Sequence, residues 1–217
     1  MTYSEIERRL RRNALTALAV VSAPTDEFSE AATESIILVG PDYPNFWPEF
    51  SASPEFSDGQ PDPMDRWSKR VVTPLADDIS GQAIFPSDGP PYPPFISWAL
   101  ASGAIWQSPV GLLVHASHGL MLSFRGAIAL PYRVTGAPTA ANPCQTCADK
   151  PCKTACPVNA LQPDSYDVTA CHGALDRPEV DCMALGCAAR RACPISQMVP
   201  RSAAQSAFHM RAFHKKG

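Results

Sequence analysis

The chain of 217 residues carries 18 Lys and Arg against 21 Asp and Glu, a net charge of -3, with 45% hydrophobic and 18% charged residues. That apolar content suffices for one large or two small packed domains and excludes a disordered chain, a coiled coil and a disulfide mini-protein. The acidic balance argues against a basic nucleic-acid binder, and the sequence has no run of eighteen apolar residues that would predict a membrane helix.

Residues 4–20 read as an amphipathic helix, with Ile6, Leu10 and Ala14 at four-residue intervals and Arg8, Arg9, Arg11 and Arg12 around them. An export signal is the rival reading. Glu5 and Glu7 in its basic part and Thr16 in its short apolar part argue against it. Residues 35–39, Ser-Ile-Ile-Leu-Val before Gly40-Pro41, predict a buried strand. Residues 41–63 hold six prolines with Tyr43, Phe46, Trp47, Phe50 and Phe56, which suits either a lid over a cofactor or a loop whose rings fill the core edge. Asp62-Pro63 starts a helix through Trp67, Val71 and Leu75, bent at Pro74 and stopped by Gly81. A short strand from Gln82 to Phe85, a turn at Asp88-Gly-Pro-Pro91 and a helix from Phe95 to Ser102 follow. Val110 to His115 and Leu120 to Leu130 read as a hairpin around Ala116-Ser-His-Gly119. Residues 131–143 form a linker, and residues 203–214 a terminal helix.

All eight cysteines lie between Cys144 and Cys193. Such crowding points to metal ligands or disulfides. One group is Cys144-x2-Cys147-x4-Cys152-x3-Cys156-Pro157. The other is Cys182-x4-Cys187-x5-Cys193-Pro194, with Cys171 alone between them. In two-cluster ferredoxins the cysteine before proline ligates the other cluster. That rule gives Cys144, Cys147, Cys152 and Cys193 to one [4Fe–4S] cluster and Cys156, Cys171, Cys182 and Cys187 to a second. Two zinc sites and a set of disulfides are the alternatives. The organisation expected is α+β: residues 1–137 as a cofactor-binding domain, residues 138–200 as a ferredoxin-like two-[4Fe–4S] domain, and residues 201–217 as a basic helix or tail.

The stretch Ser102-Gly-Ala-Ile-Trp106, then Gly111-Leu-Leu-Val-His115, Gly119 and Gly126-Ala-Ile-Ala-Leu130, leading into the cysteines, resembles the epoxyqueuosine reductases. Cys171, in Tyr166-Asp-Val-Thr-Ala-Cys171, is similar to that family's isolated cysteine, and the likeness spans about residues 85–195. Those enzymes and their reductive dehalogenase relatives bind a corrinoid in a nitroreductase-like α/β domain and reduce its cobalt through two [4Fe–4S] clusters. The resemblance thus implies cobalamin, with flavin as the alternative, in residues 1–137. It also places Asp88 near the family's catalytic aspartate, a proton donor; capping of the Asp-Gly-Pro-Pro turn is the competing role. Ser108-Pro109 replace the family's glycine-lysine, Pro93-Pro94 stand where it has a glutamate, and its tRNA-holding helical repeats have no counterpart. The expectation is a short relative that keeps the electron relay and does not reduce epoxyqueuosine.

Residues 182–217 hold six Lys or Arg and no acid. Arg190 and Arg191 would offset thiolate charge, while Arg201, Arg211, Lys215 and Lys216 would dock an acidic electron donor such as a ferredoxin or flavodoxin. His115, His118, His172, His209 and His214 show no metal pair by spacing, and no nucleotide, nicotinamide or protease motif occurs. The reading is therefore a cytoplasmic iron–sulfur oxidoreductase passing electrons to a corrinoid. The alternative is a ferredoxin-type carrier with no substrate of its own.

Overall fold

The computed structural model describes residues 1–22 and 33–214, which form two compact units. One comprises Met1–Ile105 and Ser123–Ala140; the other comprises Trp106–Leu122 and the chain from Ala141 onward.

In the first unit, α1 (Tyr3–Arg11) opens with a reciprocal cap: Glu5 N donates to Thr2 Oγ1, and Thr2 N donates to Glu5 Oε2. Ile6 and Leu10 face inward. The helix does not reach residue 20 as the periodicity predicts. Ala14 takes φ 55°, which no right-handed helix accommodates, and β1 (Leu15–Ser22) follows. Its residues are nearly all buried, so the run lacks the alternation that would mark it as a strand. β2 (Ser35–Pro41) is buried throughout. After it come α2 (Phe46–Ser51), α3 (Pro54–Ser57), α4 (Pro63–Asp77), β3 (Gln82–Ile84) and α5 (Phe95–Ala101).

Residues 41–63 are thus two short helices rather than an irregular loop. Their rings enter the core: Phe46 and Phe50 are buried and meet Trp67 of α4 edge-on at 5.3 and 5.9 Å. Glu55 of α3 is clamped by Arg70 of α4 through Nε to Oε1 and Nη2 to Oε2.

Two short strands, β4 (Ile105–Gln107) and β5 (Leu113–His115), pair with each other, and β6 (Gly126–Leu130) returns to the first unit. The expected hairpin is therefore only half present. Its turn exists, since His115 and Gly119 exchange backbone hydrogen bonds at 3.0 and 2.9 Å. Its second arm instead pairs with β2 and β3, giving an antiparallel sheet of order β1-β2-β6-β3. With helices packed against that sheet, the class is α+β, as composition and patterning predict.

The second unit contains a single 3₁₀ turn, Pro151–Lys153, then α6 (Val168–Leu175), α7 (Cys182–Leu185), α8 (Ala188–Ala192), α9 (Pro194–Gln197) and α10 (Ala203–Phe213). α8 packs on the Pro151–Lys153 turn and on α9, and α7 packs on α10. The division of the chain differs from the expected one at two points. Residues 106–122 belong with the cysteines, because Val110, Val114 and Leu120 share a core with Cys152, Leu161 and Ala189. The terminal helix is part of this unit rather than a separate tail. Among the described residues, no helix is long and apolar enough to cross a membrane.

Candidate metal centre

Backbone geometry delivers the cysteines from several short segments. Cys144 N is held by Asn142 Oδ1 at 2.9 Å. Lys150 turns left-handed at φ 42° just before Pro151, so that Cys152 points inward from the 3₁₀ turn. Cys187 and Cys193 flank α8, and Pro194 opens α9 directly after Cys193. Cys171 lies in the first turn of α6, which Asp167 caps through Ala170 N at 2.8 Å.

Four of the cysteines line one space. Cys144, Cys147, Cys152 and Cys193 line a single cavity of about 400 Å³. Pro109, Val114, Leu120 and Ile195 make its apolar walls, and Thr146, Asp149 and Lys150 stand on its rim. Burial first, then the Cys152, Cys193 and Cys147 sulfurs, pushes the Cys144 thiol above its ordinary value. Burial and then Cys193 and Cys147 do the same to Cys152.

The other four respond to one another instead. Cys171 is raised by burial, lowered in part by a hydrogen bond from Tyr166, and raised again by Cys187 and Cys156. Cys182 is raised by burial and lowered by the Ala188 amide, with Cys187 adding to the rise and Arg191 opposing it. Cys156 Sγ accepts from Ala160 N at 3.3 Å.

All eight cysteines are free thiols. Among the described residues, no group of three or more His, Cys, Asp or Glu side chains is placed to hold a metal ion.

Asp88 lies in the first unit. Its Oδ1 accepts from Lys69 Nζ at 2.7 Å and its Oδ2 from Phe85 N at 2.9 Å, while its own N–H donates to Phe85 O at 3.0 Å. One oxygen closes the turn that follows β3, and the other holds Lys69 of α4. Arg190 Nη1 donates to the Leu120 carbonyl. Arg191 reaches Gly186 O at 3.1 Å and Asp181 Oδ1 at 2.5 Å. Both guanidiniums are therefore built into the second unit. Arg201 Nε contacts Ser206 Oγ at 3.2 Å, and Arg211 is exposed. Lys215 and Lys216 lie outside the described residues.

Spacing gives no hint of two histidine pairs. His115 and His118 approach through their Nδ1 atoms at 3.0 Å, and His172 meets His214, whose Nε2 lies 3.1 Å from Asp176 Oδ1. Nor does spacing assign a role to Tyr166, although it stands five positions before the isolated cysteine.

Comparison of the chain with protein-family models, with curated proteins and with solved structures finds no match.

Proposed function

We propose that the chain is an iron–sulfur electron-transfer protein. One [4Fe–4S] cluster is held by Cys144, Cys147, Cys152 and Cys193, and a second by Cys156, Cys171, Cys182 and Cys187. The observation that carries this reading is the first cavity: four cysteines from two separate stretches of chain line one space of about 400 Å³ with apolar walls. A cluster is a body of several atoms, so its ligands ring a volume; zinc draws its four ligands to a point at about 2.3 Å.

The raised thiols support the same reading. Reactive cysteines carry lowered pKa values. Buried thiols that repel one another's thiolates remain neutral until a cation draws off their protons, as ligand sets do. Once bound, each cluster would supply one-electron exchange. The protein's own part is to hold eight thiolates, to keep water from the first group with Val114, Leu120 and Ile195, and to set Arg191 beside Cys182.

The recipient of the electrons is a separate partner or, as the resemblance implies, a corrinoid. In the first unit, the cavity beside α1 is about 220 Å³ and is lined by Met1, Glu5, Arg8, Arg9 and Arg12. It is polar and far smaller than a corrin ring, so it does not fit that group.

Anaerobic reconstitution with counts of iron and sulfide, followed by EPR and a cobalamin titration, tests the proposal. About eight irons with matching sulfide, reversibly reduced, support it. Zinc without sulfide would replace it with a structural metal module. Base-off cobalamin bound at one equivalent would make the corrinoid the acceptor; no binding would leave the carrier.

A further inference from the structure

The end of α10 and the middle of α6 meet through two imidazoles. His172 Nδ1 and His214 Nδ1 face each other at 2.5 Å, although 42 positions separate them in the chain. Phe213 stacks on the His172 ring, with centroids 4.6 Å and planes 21° apart. His214 is held at its backbone and at its far nitrogen. Its N–H donates to Met210 O at 2.8 Å, and its Nε2 donates to Asp176 Oδ1 at 3.1 Å. Its side chain is only 10% exposed, against 50% for Asp176. A carboxylate only accepts, so the neutral His214 ring carries its proton on Nε2 and turns the Nδ1 lone pair toward His172. The His172 ring makes no other hydrogen bond within the described residues. Its own proton can therefore sit on Nε2, which leaves two lone pairs facing each other.

We propose that His172 and His214 bind a divalent cation of the zinc class between their Nδ1 atoms, with Asp176 orienting His214 and water completing the shell. Imidazole nitrogen is a good donor for zinc and its neighbours in the first transition row. A ligating histidine nearly always gives its other N–H to a carboxylate, a carbonyl or water, and His214 gives its own to Asp176. Zinc–nitrogen bonds of about 2.0–2.1 Å in a tetrahedral shell set two ligands about 3.3 Å apart, so the rings need swing apart by less than about 1 Å to admit the ion. Binding forms two zinc–nitrogen bonds and displaces water from the ion. No bond of the protein breaks, and no electron moves. With two protein ligands the site stays open to water, unlike a four-cysteine structural centre. The ion would tie α10 to α6, and because it binds the folded arrangement it would stabilise the second unit by mass action. The proposal does not depend on what the cysteines hold.

The test uses the full chain, reconstituted anaerobically, with iron and sulfide counted first. Equilibrium dialysis against zinc chloride then counts zinc, and zinc-edge X-ray absorption identifies its ligands. The expected result is one zinc per chain with a nitrogen and oxygen shell at about 2.0–2.1 Å and no sulfur at about 2.3 Å. His172→Ala and His214→Ala should each lose that zinc with iron and sulfide unchanged. Asp176→Ala, which leaves both ligands in place, should weaken binding about tenfold or more. Zinc should also raise the thermal midpoint of the wild type and leave that of His214→Ala where it was. If the cysteines take zinc in place of clusters, the histidine-bound ion is read as the difference between wild type and His214→Ala. No zinc beyond that bound by sulfur would overturn the proposal and leave the imidazoles as a pair sharing a proton. Zinc bound equally well by wild type and His214→Ala would overturn it too.

Discussion

The backbone N–H of Leu120 donates to Ser196 Oγ at 2.8 Å, joining residues 76 positions apart. One lies in the segment that walls the first cavity, and the other follows Cys193-Pro194. The neighbouring Gly119 has φ 54°, and a Cβ there would fall 2.5 Å from Ser196 N and 2.6 Å from its Oγ. Gly119→Ala should therefore destabilise the second unit by about 1–3 kcal/mol. Denaturant titration would show this, and the Cys193-containing cluster should be lost before the other.

Cysteine-to-serine variants test the proposed division of the eight cysteines into two ligand sets. Cys144→Ser and Cys193→Ser should each remove the same cluster, and combining them should remove nothing more. Cys171→Ser should remove the other, and Cys171→Ser with Cys193→Ser both. Iron counts with EPR or Mössbauer spectra decide this. A Cys171→Ser protein with wild-type iron and both spectra intact would break the partition.

The Glu55–Arg70 pair predicts acid sensitivity in the first unit. The Arg70 guanidinium holds the Glu55 carboxyl at a pKa of about 2, below its ordinary 4.5. A depressed carboxyl favours the folded state when ionised. Its contribution is complete above about pH 5 and drains away as pH falls from about 4.5 to 2. Because Arg70 is half-exposed, the expected contribution is on the order of 1–2 kcal/mol. Trp67 fluorescence during urea unfolding should show it, and Glu55→Gln should flatten the dependence in that window.

Asp88 is expected to behave as a turn cap. Its ion pair with Lys69 is surface-exposed and adds little. Asp88→Asn, which keeps an acceptor for Phe85 N, should change stability by less than about 0.5 kcal/mol, and Asp88→Ala by about 1 kcal/mol. Cluster reduction should proceed at the wild-type rate in both. If Asp88→Asn leaves stability alone but abolishes reduction of an added corrinoid or substrate, the aspartate is a proton donor.

That the cysteines share one unit was legible in the sequence because it is a local property: all eight lie between Cys144 and Cys193. The helix at Pro63, with Asp62 before it and Gly81 beyond its end, was legible for the same reason. What escaped depended on partners far along the chain. Leu15–Ser22 is apolar on both faces, so only its pairing with β2 separates it from a helix. Leu120 to Leu130 is uniformly apolar enough to read as one strand. Yet Leu120 packs with Val114 and Cys152, while Gly126–Leu130 pairs with β2 and β3.

The allocation of Trp106–Leu122 to the second unit bears on how the protein is made. During synthesis the first unit has all its chain once Ala140 has emerged from the ribosome. Residues 106–122 are by then already outside, with Val110, Val114 and Leu120 awaiting the partners that come from Cys152 and Ala189. For that interval an apolar segment hangs from a finished neighbour, a natural handhold for chaperones and a point of aggregation if the remaining chain is late. The two units cannot be cut apart at one point, so a gene fragment that carries the cysteine unit from Trp106 onward also carries Ser123–Ala140 of the first unit.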